Sequence, residues 1–212
     1  MNLEGKVQSS PGPPRDQERF RMKRCVWVLA LLAVGGALLL FARGGFQDFS
    51  KYEALKEPQI RQMPAQRMLV VEAKGDPNVV GQNTFGLLFK TFFSLPGARM
   101  AAPRARWLNS INSPKNEWRG LYGLPLPDSV KSLPQGNMDA RIETWEYGEV
   151  AEILHIGPYS EETPTIKKLI QFIDEKGCRI AGPHEEEYLK GPGMAASPAE
   201  YWTIIRYQVK KR

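Results

Sequence analysis

The sequence predicts an α+β fold: two copies of a strand, helix, strand, strand unit, preceded by one N-terminal transmembrane helix. Two helical periodicities, each following an apolar strand at an offset of roughly 80 residues, predict the duplication. An uncharged run near the N-terminus, behind a basic leader, predicts the membrane span.

Residues 1–24 contain Ser9-Ser10-Pro11-Gly12-Pro13-Pro14 and lack apolar periodicity, which marks a disordered tail. Cys25 to Ala42 carries no charge and is close to the shortest length that crosses a bilayer, so residues 25–42 read as a signal anchor. Arg19, Arg21, Lys23 and Arg24 crowd its N-terminal side and only Arg43 follows it closely. That bias places the N-terminus in the cytoplasm and the remainder beyond the membrane, as a single-pass protein with an extracytoplasmic domain. The competing readings are a cleaved signal peptide, for which Phe41-Ala42-Arg43-Gly44-Gly45 is a poor site, and a buried globular helix. Residues 43–57 read as a linker with room for a helical turn or two, and residues 58–212 as one domain.

In the first unit Met68 to Ala73 is a strand, Asp76-Pro77-Asn78 opens a helix, and Phe85, Leu88, Phe89 and Phe92 recur at helical spacing. The strands after it run from Arg104 to Ile111 and from Glu117 to Leu124. In the second, Val150 to Ile156 is the strand, Pro158 opens the helix, and Ile166, Leu169, Ile170 and Ile173 repeat the period until Gly177. Its trailing strands run from Ala181 to Leu189 and from Tyr201 to Val209. Ala140 to Tyr147 is expected to form a hairpin with the strand after it across Tyr147-Gly148-Glu149.

The 212 residues carry a formal net charge of +6, much of it in the leader and in Lys210-Lys211-Arg212. No basic stripe interleaves with aromatics, so nucleic acid is not an expected partner. Two cysteines are too few for a disulfide framework, and Cys178 reads as a buried, inert thiol rather than a reactive one. No metal-ligand spacing appears: His155 and His184 stand in separate motifs and read as structural. No metal and no cofactor are expected. A nucleophile elbow and a glycine-rich phosphate loop are also missing.

Val150 to Ile156 leading into Gly157-Pro158-Tyr159, then a helix, then Glu186-Glu187-Tyr188-Leu189 and a final strand, resembles the GyrI-like small-molecule-binding domain. That domain is the effector-binding domain of bacterial transcription activators and is related to the SOUL fold. The resemblance implies an antiparallel sheet with pseudo-two-fold symmetry, both helices on one face, and a ligand cleft between the halves. It identifies Glu186 with the family's pocket carboxylate and brings Trp118 and Tyr159 to the cleft. The histidine of the strand motif matches the branch that does not bind haem. The helix-turn-helix of the activators is missing, and residues 1–24 are too short to hold one.

Strand alternation puts Glu186 and Tyr188 on one face and Glu185 and Glu187 on the other. From charge alone, all three glutamates could equally decorate a solvated edge. The aromatic candidates are Trp118, Tyr122, Trp145, Tyr159 and Tyr188, each of which could instead be core. A carboxylate among aromatic rings suits amphiphilic or cationic organic ligands. The expected function is therefore membrane-anchored small-molecule binding through Glu186, Tyr188, Tyr159, Trp118, Tyr122 and Trp145. One alternative is a hydrolase of small electrophiles, with Glu186 as general base and Tyr159 or Tyr188 as donor. The other is a membrane-tethered interaction adaptor.

Overall fold

A computed structural model describes residues 48–109, 113–134 and 139–212. The expected tail, transmembrane helix and most of the linker lie outside these residues, as does the end of the strand expected to reach Ile111. Among the described residues no helix is long and apolar enough to cross a membrane.

The chain runs β1 (Gln59–Met63), β2 (Gln66–Lys74), α1 (Pro77–Phe93), β3 (Arg104–Trp107) and β4 (Arg119–Pro125). It continues through β5 (Ala140–Trp145), β6 (Gly148–Ile156), α2 (Thr163–Glu175), β7 (Cys178–Ile180), β8 (His184–Lys190) and β9 (Trp202–Lys211). All pairings are antiparallel, in the order β1-β6-β9-β8-β3-β4-β2-β5, with β7 on β9. The order is symmetric about the β8–β3 junction: β6, β9 and β8 mirror β2, β4 and β3, and the fold is α+β as expected.

The expected hairpin does not form. β5 pairs with β2, whereas β6 pairs with β1 and β9, so each half lends its leading strand to the other. β6, buried along Val150 to His155, lies between β1 and β9, whereas β5, with half-buried and exposed positions along it, lies at the sheet edge.

Two further boundaries differ from the sequence reading. The trailing strand expected from Ala181 starts only at His184, after Pro183, which donates no ladder hydrogen bond, and Cys178–Ile180 forms a separate β7 before it. The second helix begins at Thr163, after a 3₁₀ turn at Tyr159–Glu161, and Ile170 is 39% exposed at the margin of its apolar face. Within the expected linker the helical turns are Ser50–Lys56, a 3₁₀ helix that packs on the domain. Its Leu55 is buried with Leu154, Leu189 and Ile204, and Phe49 packs on Trp202.

One row of side chains crosses seven strands in register: Ala140, Val71, Tyr122, Ala105, Glu186, Ile205 and Ile153. Leu88 and Phe92 of α1 pack on its first half, and Ile166, Leu169 and Ile173 of α2 on its second. Both helices therefore cover the same face and leave Glu186 between them. The opposite face carries the neighbouring row, in which Arg106, Glu185, Arg206 and Glu152 alternate in charge across β3, β8, β9 and β6.

Candidate functional site

β8 carries His184, Glu186 and Tyr188 on the helix face, as its period of two requires. Glu186 is 8% exposed and is held by Trp107, Tyr188 and His184. Trp107 Nε1 donates at 3.0 Å, Tyr188 OH at 2.6 Å, and His184 Nε2 lies 2.9 Å away. His184 Nδ1 meets Tyr207 OH at 2.8 Å. Among the described residues no lysine or arginine forms an ion pair with Glu186; its one cationic candidate is His184.

A second carboxylate joins it. Glu162 stands at the N-cap of α2, but its side chain does not cap that helix. It is 5% exposed, its Oε1 has no hydrogen-bond partner, and its other contacts bring it to Glu186. Burial, then the charge of Glu186 and the hydrogen bond to it, push the Glu162 pKa up to about 9, so at neutral pH it is a carboxylic acid. Burial also opposes ionisation of Glu186, but the hydrogen bond and charge of His184, with the bonds from Tyr188 and Trp107, hold its pKa below the usual range. One carboxyl keeps a proton so that its neighbour can remain charged.

Aromatic rings surround the pair. Phe85 meets Tyr122 edge-on at 4.9 Å and Tyr188 at 5.8 Å, while Tyr159 packs on Tyr188 at 5.5 Å and on Tyr201 at 5.1 Å. Tyr122 is 2% exposed, and its hydroxyl has no partner. Burial, then the nearby Glu186 charge, raises its pKa to about 12. The phenol therefore stays protonated and available as a donor. Gly120 makes room for this cage, since a Cβ there would lie 2.8 Å from the Trp107 ring and 2.9 Å from that of Tyr122. Tyr159, 38% exposed, forms the outer wall. Two surface concavities of about 340 and 470 Å³ flank α2, and neither is lined by Glu186.

Of the residues singled out in the sequence, the structure gathers Glu186, Tyr188, Tyr159 and Tyr122. Trp118 precedes β4 and packs on Trp107 at 5.2 Å, with its indole N–H on the Ser113 carbonyl, so it stands behind the cage. Trp145 is not brought to the site. It lies on the opposite face, where its ring fills the space over Gly123 and stacks under the Arg106 guanidinium at 4.1 Å. Glu185 and Glu187 point to that face too, but into buried ion pairs and not a solvated edge. Glu185 pairs with Arg106 at 2.6 Å and Arg206 at 2.7 Å, and Glu187 with Arg104 at 3.2 Å and Arg206 at 3.0 Å. Cys178 is buried.

His155 bonds Thr165 and the Pro158 carbonyl and so pins the turn into α2, whereas His184 belongs to the carboxylate cluster. Sequence reasoning missed Glu162, Trp107, Tyr207 and Phe85. His184 could have been placed, two residues before Glu186 on one strand.

The pattern of the GyrI-like small molecule binding domain matches residues 56–208. The chain belongs to the GyrI-like family. Its GyrI-like domain is similar in structure to a hydrolase from Listeria innocua, at 22% identity over 73% of this chain and 92% of that one, with a TM-score of 0.59. An uncharacterized conserved protein from Listeria innocua is 23% identical over 78% of this chain and 100% of that one, with a TM-score of 0.62. The EcmrR C-terminal domain is 14% identical over 74% of this chain and 98% of that one, also with a TM-score of 0.62. At these identities the likeness shows the fold. No curated protein sequence matches the chain.

Proposed function

We propose that the GyrI-like domain binds amphiphilic organic cations in the cleft at Glu186. One observation carries the reading: β3 and β8 pair so that Arg104 faces Glu187, Ala105 faces Glu186 and Arg106 faces Glu185. The arginines neutralise the outer glutamates, and alanine leaves the inner one without an arginine among aromatic rings. A buried carboxylate so placed attracts a desolvated cation, and ring faces add roughly 0.5 to 2 kcal/mol each. Benzyltrimethylammonium and its uncharged isostere neopentylbenzene test this directly. Glu186→Gln is expected to weaken the first at least tenfold and leave the second unchanged; equal effects on both would refute the cation reading.

We further propose that the basic leader and the apolar run 25–42 anchor the chain, with the domain outside the cytoplasm. The motivation is the charge asymmetry around that run. A reporter active only outside the cytoplasm, fused after Arg212, should be active; an inactive one would reverse the orientation. The hydrolase reading is supported by a neutral Glu162 beside an ionised Glu186, a pairing suited to acid and base roles. Turnover of neutral electrophiles, abolished in Glu186→Gln, would favour it.

A further inference from the structure

We propose that Glu162, His184 and Glu186 form a site for a divalent transition-metal ion, with zinc the best match to the donor set. One ligand atom from each lies within 4.8 Å of the other two, and all three residues are buried. One imidazole and two carboxylates are ligands that zinc takes in sites that keep further positions open. Around a metal with bonds of about 2.1 Å, the side chains need to draw inward by at most roughly 0.7 Å.

The surroundings fit a metal in three independent ways. First, the ligands are oriented from behind: Tyr207 OH holds His184 Nδ1 at 2.8 Å and so turns Nε2 toward the carboxylates. Trp107 and Tyr188 hold Glu186 in the same manner. Fixing ligands through their outer atoms is the usual construction of a metal centre. Second, two polar atoms at the site have no partner, Glu162 Oε1 and Tyr122 OH. The first is a free ligand oxygen. The second, in the same row of the sheet as Glu186, suits a hydrogen bond to a metal-bound water. Third, among the described residues neither carboxylate pairs with a lysine or arginine, and the one side chain able to carry a positive charge against Glu186 is His184, itself one of the three ligands.

The inference stands apart from the organic-cation reading, although both ligands need Glu186 and would compete. The experiment titrates the chelator-treated full chain with zinc chloride by calorimetry, and with cobalt chloride by visible absorption. One metal per chain and a cobalt spectrum of low-symmetry ligand field are expected. Glu162→Gln should weaken zinc by about a hundredfold or more, since it removes one of the three ligands. Tyr207→Phe, which removes only the hydroxyl behind His184, should weaken zinc by about tenfold. Circular dichroism of each variant verifies folding. If Glu162→Gln fails to fold, Tyr207→Phe and the cobalt spectrum of the unaltered chain decide. Featureless cobalt absorption, or zinc affinity unchanged in a folded Glu162→Gln or Tyr207→Phe, would overturn the site. Loss of organic-cation binding with zinc binding intact would overturn only the cation reading.

Discussion

Replacing Arg206 by methionine probes the buried charge row on the outer face. The guanidinium belongs to a residue only 1% exposed and bonds Glu152 at 2.9 Å, Glu185 at 2.7 Å and Glu187 at 3.0 Å. Burial disfavours its charge, but the three carboxylates outweigh that and raise its pKa still further above the usual arginine value. Methionine keeps much of the apolar stem and removes the charge. Each carboxylate retains one arginine, since Arg61 remains with Glu152, Arg106 with Glu185 and Arg104 with Glu187. The expected loss is therefore that of one broken buried network, about 3 to 5 kcal/mol near neutral pH, and not three times that amount.

The deficit should depend on pH in one direction. Burial raises the Glu187 pKa, but Arg104 and Arg206 outweigh it and bring it below 4.5. In the parent protein its contribution is in place above 4.5 and is lost as pH falls through the depressed value. Without Arg206 that pKa rises, the folded variant accepts a proton more readily, and the gap between the two proteins narrows in acid. Urea unfolding at neutral pH and at about pH 4, extrapolated linearly, measures both quantities. A loss below about 1 kcal/mol near neutrality, or a gap that widens in acid, would refute the reasoning.

Leu169 is fully buried on α2 against Ile153 and Ile205, so Leu169→Ala is expected to cost about 2 to 5 kcal/mol in the same urea assay. Gly120→Val places methyl groups where Trp107 and Tyr122 already stand. It should cost about 1 to 3 kcal/mol and weaken cleft ligands by displacing the indole from Glu186, a loss measured against unchanged helix content.

Much of the fold was legible because apolar periodicity records which face of an element is buried. Leu88, Phe92, Ile166, Leu169 and Ile173 stand where their spacing placed them. The β1/β5 exchange was not legible, because Tyr147-Gly148-Glu149 looks like any tight turn. The partner that replaces β5 is β1, a short strand at Gln59–Met63 that the sequence reading did not pair with β6. Glu162 was illegible for a related reason: at the start of a helix a glutamate reads as a favourable charge near the N-terminal dipole. Here its side chain leaves the helix end and turns to Glu186.

The three consecutive glutamates show how pairing converts a uniform charge run into two chemistries. Alternation alone separates Glu186 from Glu185 and Glu187, but it does not say which set faces a cation. The antiparallel register against Arg104-Ala105-Arg106 does. A slip of one residue would set an arginine beside Glu186 and bury its neighbours without partners, at several kcal/mol for each unpaired charge. Tyr147, between β5 and β6, and Arg206 of β9 both bond Glu185 and oppose that slip. The ion network on the outer face thus holds the register that leaves the inner carboxylate without an arginine. A variant that loosens the network should weaken ligand binding at Glu186 even though none of its residues touches the cleft.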